Sequence, residues 1–347
     1  MNFDLENLTS QAQERIRQLG MPRRNNDLWS FFPVNKIPAP EFMNGASATA
    51  ATDSCVISEA DIATENDLAA LLPIANRARI MKKVIDEGAN EMGIIKCNDD
   101  FGHSVFEIGK GAKVSLEILD NKVNHELAAE RFDISVGENA DVEIFFANPA
   151  NDLPLRFRHF HIVQGKNSVV RMSNILQDAG MGRISVDCDL NGEGANFEYK
   201  SLMLLKGSAS QHSRITINHN APRTTSDQFV RNLLDENSYV SYDGKVIAQK
   251  DCAEVHSGQL VNTILLSEGS AVSVKPALKI YHDNVECSHG NTVGELDADQ
   301  MFYLESRGIP KDPAQKMLIS SFARELFVNL PETPARKRLL QVLGNLK

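Results

Sequence analysis

The residues best suited to chemistry stand together in ECSHGNTVGELD, residues 286–297, where Cys287 and His289 are two positions apart. If the segment is extended, alternation puts both side chains on one face of the strand. A thiolate and an imidazole sharing a face can ligate iron or zinc, and soft sulfur with borderline nitrogen suits iron. Two ligands leave a tetrahedral metal half-satisfied, so the others must come from a partner chain, a sulfide or solvent. Taken alone, the pair is read more simply as a small buried thiol beside a hydrogen-bonded turn histidine.

The other histidines and cysteines make weaker cases. His159 and His161 in RFRHFHIV also share a strand face, but with no carboxylate or cysteine on an adjacent run they read as structural. His212 and His219 flank RITI with no evident partner, and His256 and His282 fit polar stacking at least as well as ligation. Cys188 lies between Asp187 and Asp189, whose charges disfavour a thiolate. Five cysteines without a CxxC pair fit neither a disulfide framework nor a self-contained metal cage, so most are expected as reduced, buried thiols. GKGAK at 109–113 lacks the GxxxxGK[ST] spacing and precedes a strand, and neither GxSxG nor HExxH occurs. No catalytic residue and no directly bound nucleotide is assigned, so any ATP chemistry belongs to a partner.

These residues must be positioned by the elements around them. Residues 93–280 carry short β-like runs such as GKGAKVSLEIL, GENADVEIFFA and GEGANFEYKSLML, separated by Gly, Asn, Asp and Ser. A small residue follows each turn, at Ala112, Ala140, Ser168, Ala195, Ala209, Ser238, Ala253 and Ala271, and several steps recur about every 28 residues. A sandwich or barrel also gives short alternating strands. Small residues just after turns favour a solenoid, whose coils must approach closely and bury one another's apolar faces. Before this region, Leu5, Leu8, Ala12, Ile16 and Leu19 recur at helical spacing up to Gly20 and Pro22, residues 44–54 read as a linker, and a second helical region is expected over 65–86. After it, Asp297 with Gln300 caps one helix that ends at Gly308, and Asp312, Pro313 and Gln315 open another. Its face of Ile319, Phe322, Ala323, Leu326, Phe327 and Leu330 runs to Pro331, and Thr333 with Pro334 starts a third helix toward Leu343. The boundaries expected are a helical region with linker at 1–92, a β core at 93–288 and a helical region at 289–347.

A formal net charge of -10 over 347 residues argues against a polyanion-binding face, so nucleic acid is excluded as a partner. No apolar run approaches membrane-spanning length and the N-terminus lacks a signal-peptide apolar core, so a cytoplasmic protein without a membrane partner is expected.

The stretch 226–324 resembles the SufB/SufD family, and within it the SufD branch. The resemblance rests on Gln259, Asn262, Leu265 and Leu266 in a Gln-x-x-Asn-x-x-Leu-Leu run, on Lys275–Pro276, on Cys287, Ser288, His289 and Gly290 as CSHG, and on FYLxSRG ending at Arg307 and Gly308. SufB is longer and reads CEH at that motif. Gly20, Pro22 and Trp29 match a further family segment, although Phe31 and Phe32 stand where Tyr-Thr is usual and Asn291 where Ala is common. The resemblance implies a right-handed parallel β-helix between two helical regions, in a non-catalytic scaffold subunit for iron-sulfur cluster assembly. It further implies SufB as partner through the β-helix, the ATPase SufC through the C-terminal helices, a homodimer when isolated, and a transient iron or iron-sulfur cluster shared with SufB. On it His289 becomes the stronger candidate ligand and Cys287 the weaker. The readings it competes with are a β-helical polysaccharide-active enzyme, whose acidic residues here lie mostly in turns, and a purely structural oligomerising solenoid.

Overall fold

The computed structural model describes residues 5–23, 26–37, 59–76, 79–97, 100–120, 127–148, 155–177 and 180–327, with positions 337, 340, 341 and 344 beyond them. Two parallel sheets of eight strands each form a β-helix. Sheet A contains β1 (Arg79–Ile85), β3 (Phe101–Ile108), β5 (Leu127–Val136), β7 (Leu155–Gln164), β9 (Met181–Leu190), β11 (Ser210–His219), β13 (Tyr239–Ala248) and β15 (Ala271–Ile280). Sheet B contains β2 (Asn90–Cys97), β4 (Lys113–Asp120), β6 (Asp141–Asn148), β8 (Val169–Gln177), β10 (Asn196–Leu205), β12 (Thr225–Leu234), β14 (Val255–Leu265) and β16 (Val285–Gly294). Successive strands alternate between the sheets, so each coil adds one strand to both.

The turns show why these residues stack. Gly109 and Gly137 open two successive turns, and a Cβ on either would lie 2.6–2.8 Å from backbone of the turn beneath. Only glycine allows that approach. Asn139 and Asn167 take left-handed φ values of 57° and 52°, which a short polar side chain tolerates. The next residue is small and buried at Ala112, Ala140, Ser168 and Ala195, and its N–H bonds the carbonyl three residues back. Ala209 and Ser238 follow suit, whereas Ala253 is half-buried and Ala271 exposed. Cys252 and Ser270 make the equivalent turn bond instead and are buried, so the small position falls one residue earlier in these last turns.

Inside the solenoid, aliphatic and aromatic columns stack coil upon coil. Phe132 and Phe160 stack with centroids 4.6 Å apart, and Val142, Val170, Phe197 and Val230 belong to the same core. The outer face of sheet A is covered by α1 (Leu5–Leu19), α2 (Glu59–Thr64) and α3 (Leu68–Ala75). Leu8, Ala12 and Ile16 are buried there, with Trp29 edge-on to Phe157 at 5.4 Å. A buried Arg183–Asp67 pair at 2.8 Å ties α3 to β9.

After the solenoid come α4 (Ala298–Ser306) and α5 (Lys311–Glu325). Asp297 caps α4 by accepting from the N–H groups of Asp299 and Gln300. Helix α5 starts one residue earlier than expected, after Pro310, so Asp312 lies in its first turn. Its apolar face and the residues just after it, Ala323, Leu326 and Phe327, pack on Phe145, Ile175, Leu202 and Leu233 of sheet B.

One sequence expectation is overturned. The helical region expected over 65–86 ends at Ala75, and Arg79–Ile85 is strand β1, paired along its length with β3. Strands also reach beyond the expected core boundaries 93 and 288, running from Arg79 to Gly294. The linker at 44–54, Cys55 and Leu330 lie outside the described residues, as does most of the helix expected from Thr333. Among the described residues no helix is long and apolar enough to cross a membrane.

Candidate functional site

Cys287 and His289 lie on β16, the last strand of sheet B, which pairs with β14 on one side and, among the described residues, has no strand on the other. Register sets Cys287 opposite Ser257 and His289 opposite Gln259. On β14, Val255, Ser257, Gln259, Val261 and Thr263 alternate as the buried set. Cys287 and His289 therefore share the inward face of the final coil. Because no further coil follows among the described residues, that face is open: Cys287 is half-buried and His289 exposed.

Cys287 packs with Val285 against Ala248, Cys252 and Val255. Burial pushes its thiol up from the ordinary value, so at neutral pH it is a thiol until a cation draws off the proton. The described residues contain no group of three or more His, Cys, Asp or Glu arranged to hold a metal. Cys287 and His289 thus offer at most two ligands between them, a sulfur and a nitrogen that fall short of a complete metal site.

Beneath this pair lies a row of polar side chains that the sequence had shown only as a motif. Gln228, Gln259 and His289 occupy one register row across β12, β14 and β16. Gln228 accepts from the Tyr242 hydroxyl at 2.5 Å, but its amide nitrogen has no partner, and neither polar atom of the buried Gln259 amide has one.

The remaining histidines are placed quite differently. The sequence shows no carboxylate near His159 and His161, yet the neighbouring coils bring three. His161 Nε2 bonds Asp189 at 3.2 Å and its Nδ1 lies 3.5 Å from Asp133, hydrogen bonds that push its pKa up to about 10. His159 bonds Ser185 at 3.1 Å with Asp187 at 4.0 Å, and burial takes its pKa down to about 3. Burial works to raise the Asp133 carboxyl, but Arg131 at 2.8 Å and hydrogen bonds from His103 and His161 hold it well below the usual carboxylate range. The carboxylates here are paired internally, so this is a structural network. A cleft of about 520 Å³ is lined by Glu65, Arg131, Asp133, His159, His161 and Asp187 among others, and shares no residue with β16.

His212 is bonded by Ser210 and Ser241 at 2.9 and 2.7 Å, and His219 by Thr224 and Ser226 at 2.8 and 3.0 Å, so both have the partners the sequence left unnamed. His256 pairs on the surface with Glu286 at 3.2 Å, and His282 accepts from the Asn284 N–H at 3.0 Å. Cys188 is buried with its thiol raised well above the ordinary value, by burial first and by Asp189 and Asp187 after it.

Fold and last described strand together define a parallel β-solenoid with a Cys-x-His pair at its open end. The SufBD core domain of the SUF system for FeS cluster assembly matches residues 94–322, and the chain belongs to the SufBD family. Over 214 residues it is 31% identical to an iron-sulfur cluster assembly SufBD family protein of Synechocystis, covering 61% of this chain and 47% of that one. It is 29% identical over 227 residues to the iron-sulfur cluster assembly protein SufD of Escherichia coli, covering 65% and 53%. SufD of Bacillus subtilis is 23% identical over 180 residues, covering 52% and 41%. The chain spans about half the length of the curated relatives it matches.

Proposed function

We propose that this chain is a SufD-like scaffold subunit for iron-sulfur cluster assembly, and that His289, with Cys287 beside it, handles iron or a nascent cluster at a subunit seam. The observation that carries this reading is the placement of both side chains on the open inner face of the final coil. There a second chain can supply the missing ligands while the solenoid excludes water from one side. Family membership and the SufD names of the relatives support the same reading. The cluster is cargo: two ligands and an open coordination position suit a species that must later leave.

In this reading the occupant of the open end is a SufB-type chain, or a second copy of this chain when it is alone. The C-terminal helices dock a SufC-type ATPase, through Phe302 and Tyr303 of α4, which are 73% and 57% exposed, and Met317 of α5, at 50%. The chain itself is non-catalytic, works in the cytoplasm, binds no nucleotide and transmits motion of the ATPase through α4 to β16. His289→Ala is expected to assemble with its partners normally yet to yield less cluster on anaerobic reconstitution with iron and sulfide. Undiminished cluster yield from an intact complex removes His289 from the mechanism.

A further inference from the structure

The buried row leading to His289 has an internal logic. A histidine that ligates metal through one ring nitrogen is oriented by an acceptor on the other, and such partners decide both tautomer and ring angle. The residue facing His289 across the strand pair is Gln259, whose amide oxygen and nitrogen are both buried and unpartnered. Leaving two amide groups dry and unpaired is costly, and a valine or leucine there would extend the core begun by Val261. The next residue in the row, Gln228, has one oxygen lone pair taken by the Tyr242 hydroxyl and a second one free, since an amide oxygen accepts twice. An imidazole that ligates through one nitrogen can enter this row only as a donor, so the row then runs from the ring N–H through the Gln259 amide to the free lone pair of Gln228 Oε1, with the Gln228 amide nitrogen outside it.

We infer that Gln259 is the positioning residue for His289: when the open end is covered, the imidazole turns inward, donates its ring N–H to Gln259 Oε1, and presents its other nitrogen to iron. The inference rests on the reading of His289 as an iron ligand. Gln259 Nε2 then donates to Gln228 Oε1, and the two orphaned groups of Gln259 are satisfied together. No bond is made or broken; the row fixes a tautomer. It also accounts for the glutamine of the Gln-x-x-Asn run, three residues before Asn262, which the fold alone does not require.

The test uses the full chain with its SufB-type partner under anaerobic conditions, titrated with ferrous iron alone and followed in parallel by thermal melting. His289→Ala is expected to weaken iron binding at least tenfold. Gln259→Leu is expected to weaken it by about 10- to 100-fold, the usual effect of losing an orienting partner, while leaving the melting temperature unchanged or higher because an unpaired buried amide is gone. Gln259→Glu keeps an acceptor oxygen at the same reach and should restore affinity to within a few-fold. Wild-type affinity in Gln259→Leu with weakened His289→Ala overturns the inference and leaves the reading of His289 standing. Equal loss in Gln259→Leu and Gln259→Glu, or a lowered melting temperature in Gln259→Leu, marks a merely structural glutamine and also overturns it. Wild-type affinity in His289→Ala overturns the reading and the inference together.

Discussion

Asp133 shows what a single carboxylate does inside this solenoid. It takes two hydrogen bonds from Arg131, at 2.8 and 2.9 Å, and one from His103 at 2.7 Å, with all three side chains buried. Removing it leaves a buried guanidinium with only the more distant Glu65 carboxylate, at 3.5 Å, to compensate it, so Asp133→Ala should lose about 3 kcal/mol of stability, read from urea unfolding. Its neighbour His161 is held charged up to about 10, above the ordinary 6.5 of an unfolded chain. The folded state binds that proton more tightly, so the contribution is complete below 6.5 and fades as pH rises toward 10. His159 and His212, pushed by burial to about 3, and His219, to about 4, act in the opposite sense. Below 6.5 the unfolded chain takes up protons that the folded chain refuses, so stability falls on acidification. The urea midpoint should therefore peak near pH 6.5, and His161→Ala should flatten the alkaline limb while sparing the acid one; an unchanged alkaline limb would dismiss the His161 ion pairs. The sequence placed His159 and His161 on one face, but their carboxylates stand in other coils, His161 and Asp189 being 28 residues apart. Nothing local announces such a pairing. Gln259 escaped a functional reading for a related reason, since only register reveals that it faces His289.

At the scale of elements, amphipathic patterning was legible wherever one period excluded the other. The spacing of Ile319, Phe322, Ala323 and Leu326 has no strand interpretation, and the chain folds it as α5 against sheet B. Ile80, Met81, Val84 and Ile85 satisfy helical spacing too, yet they form β1, because pairing with β3 extends the solenoid and decides an otherwise ambiguous run. α5 is held by few anchors: Phe327 and Leu326 in the apolar cluster, and Arg231, which pairs with Glu325 at 2.8 Å, bonds the Phe322 carbonyl and lies 4.7 Å over its ring. Truncating Phe327 to Ala should cost this docking about 3–5 kcal/mol, in the range of large core deletions. Because the solenoid does not depend on the helix for its strand pairing, the loss should be local. Hydrogen exchange should show α4 and α5 unprotected in Phe327→Ala while β10 to β13 keep their protection. Equal loss of protection throughout would mean that helix and solenoid unfold as one unit.

Over the whole molecule, stacked coils make stability nearly one-dimensional, each coil resting on its neighbours, so an end without a cap is where the fold is least complete. Helices cover the flank of each sheet, but β15 and β16 close the C-terminal end with edges that no strand among the described residues pairs. Pro276 can sit in β15 because an edge strand tolerates a missing donor. Apolar side chains gather at this end: Val272 and Val274 are half-buried, Ile280 is 38% exposed, Val293 49% and Tyr281 59%. Exposed apolar side chains at a solenoid end can be buried by a covering chain, and a second copy would use the same residues twice about a two-fold axis. The 28-residue repeat made the stack legible in the sequence, whereas the open end was not, because it depends on which coil comes last. Val293 lies on the inward face of β16, opposite Thr263, with no coil above it among the described residues. Val293→Lys should leave the melting temperature nearly unchanged, within the roughly ±0.5 kcal/mol typical of exposed positions, because the charge stays in water in the free chain. In an interface the same charge would be buried without a partner, so association should weaken strongly. Sedimentation of the purified chain across a concentration series should show the wild type self-associating and Val293→Lys remaining a monomer, with the same variant failing to hold a SufB-type partner. A variant that associates as the wild type does in both settings would place the seam elsewhere, and with it the iron-handling role of His289.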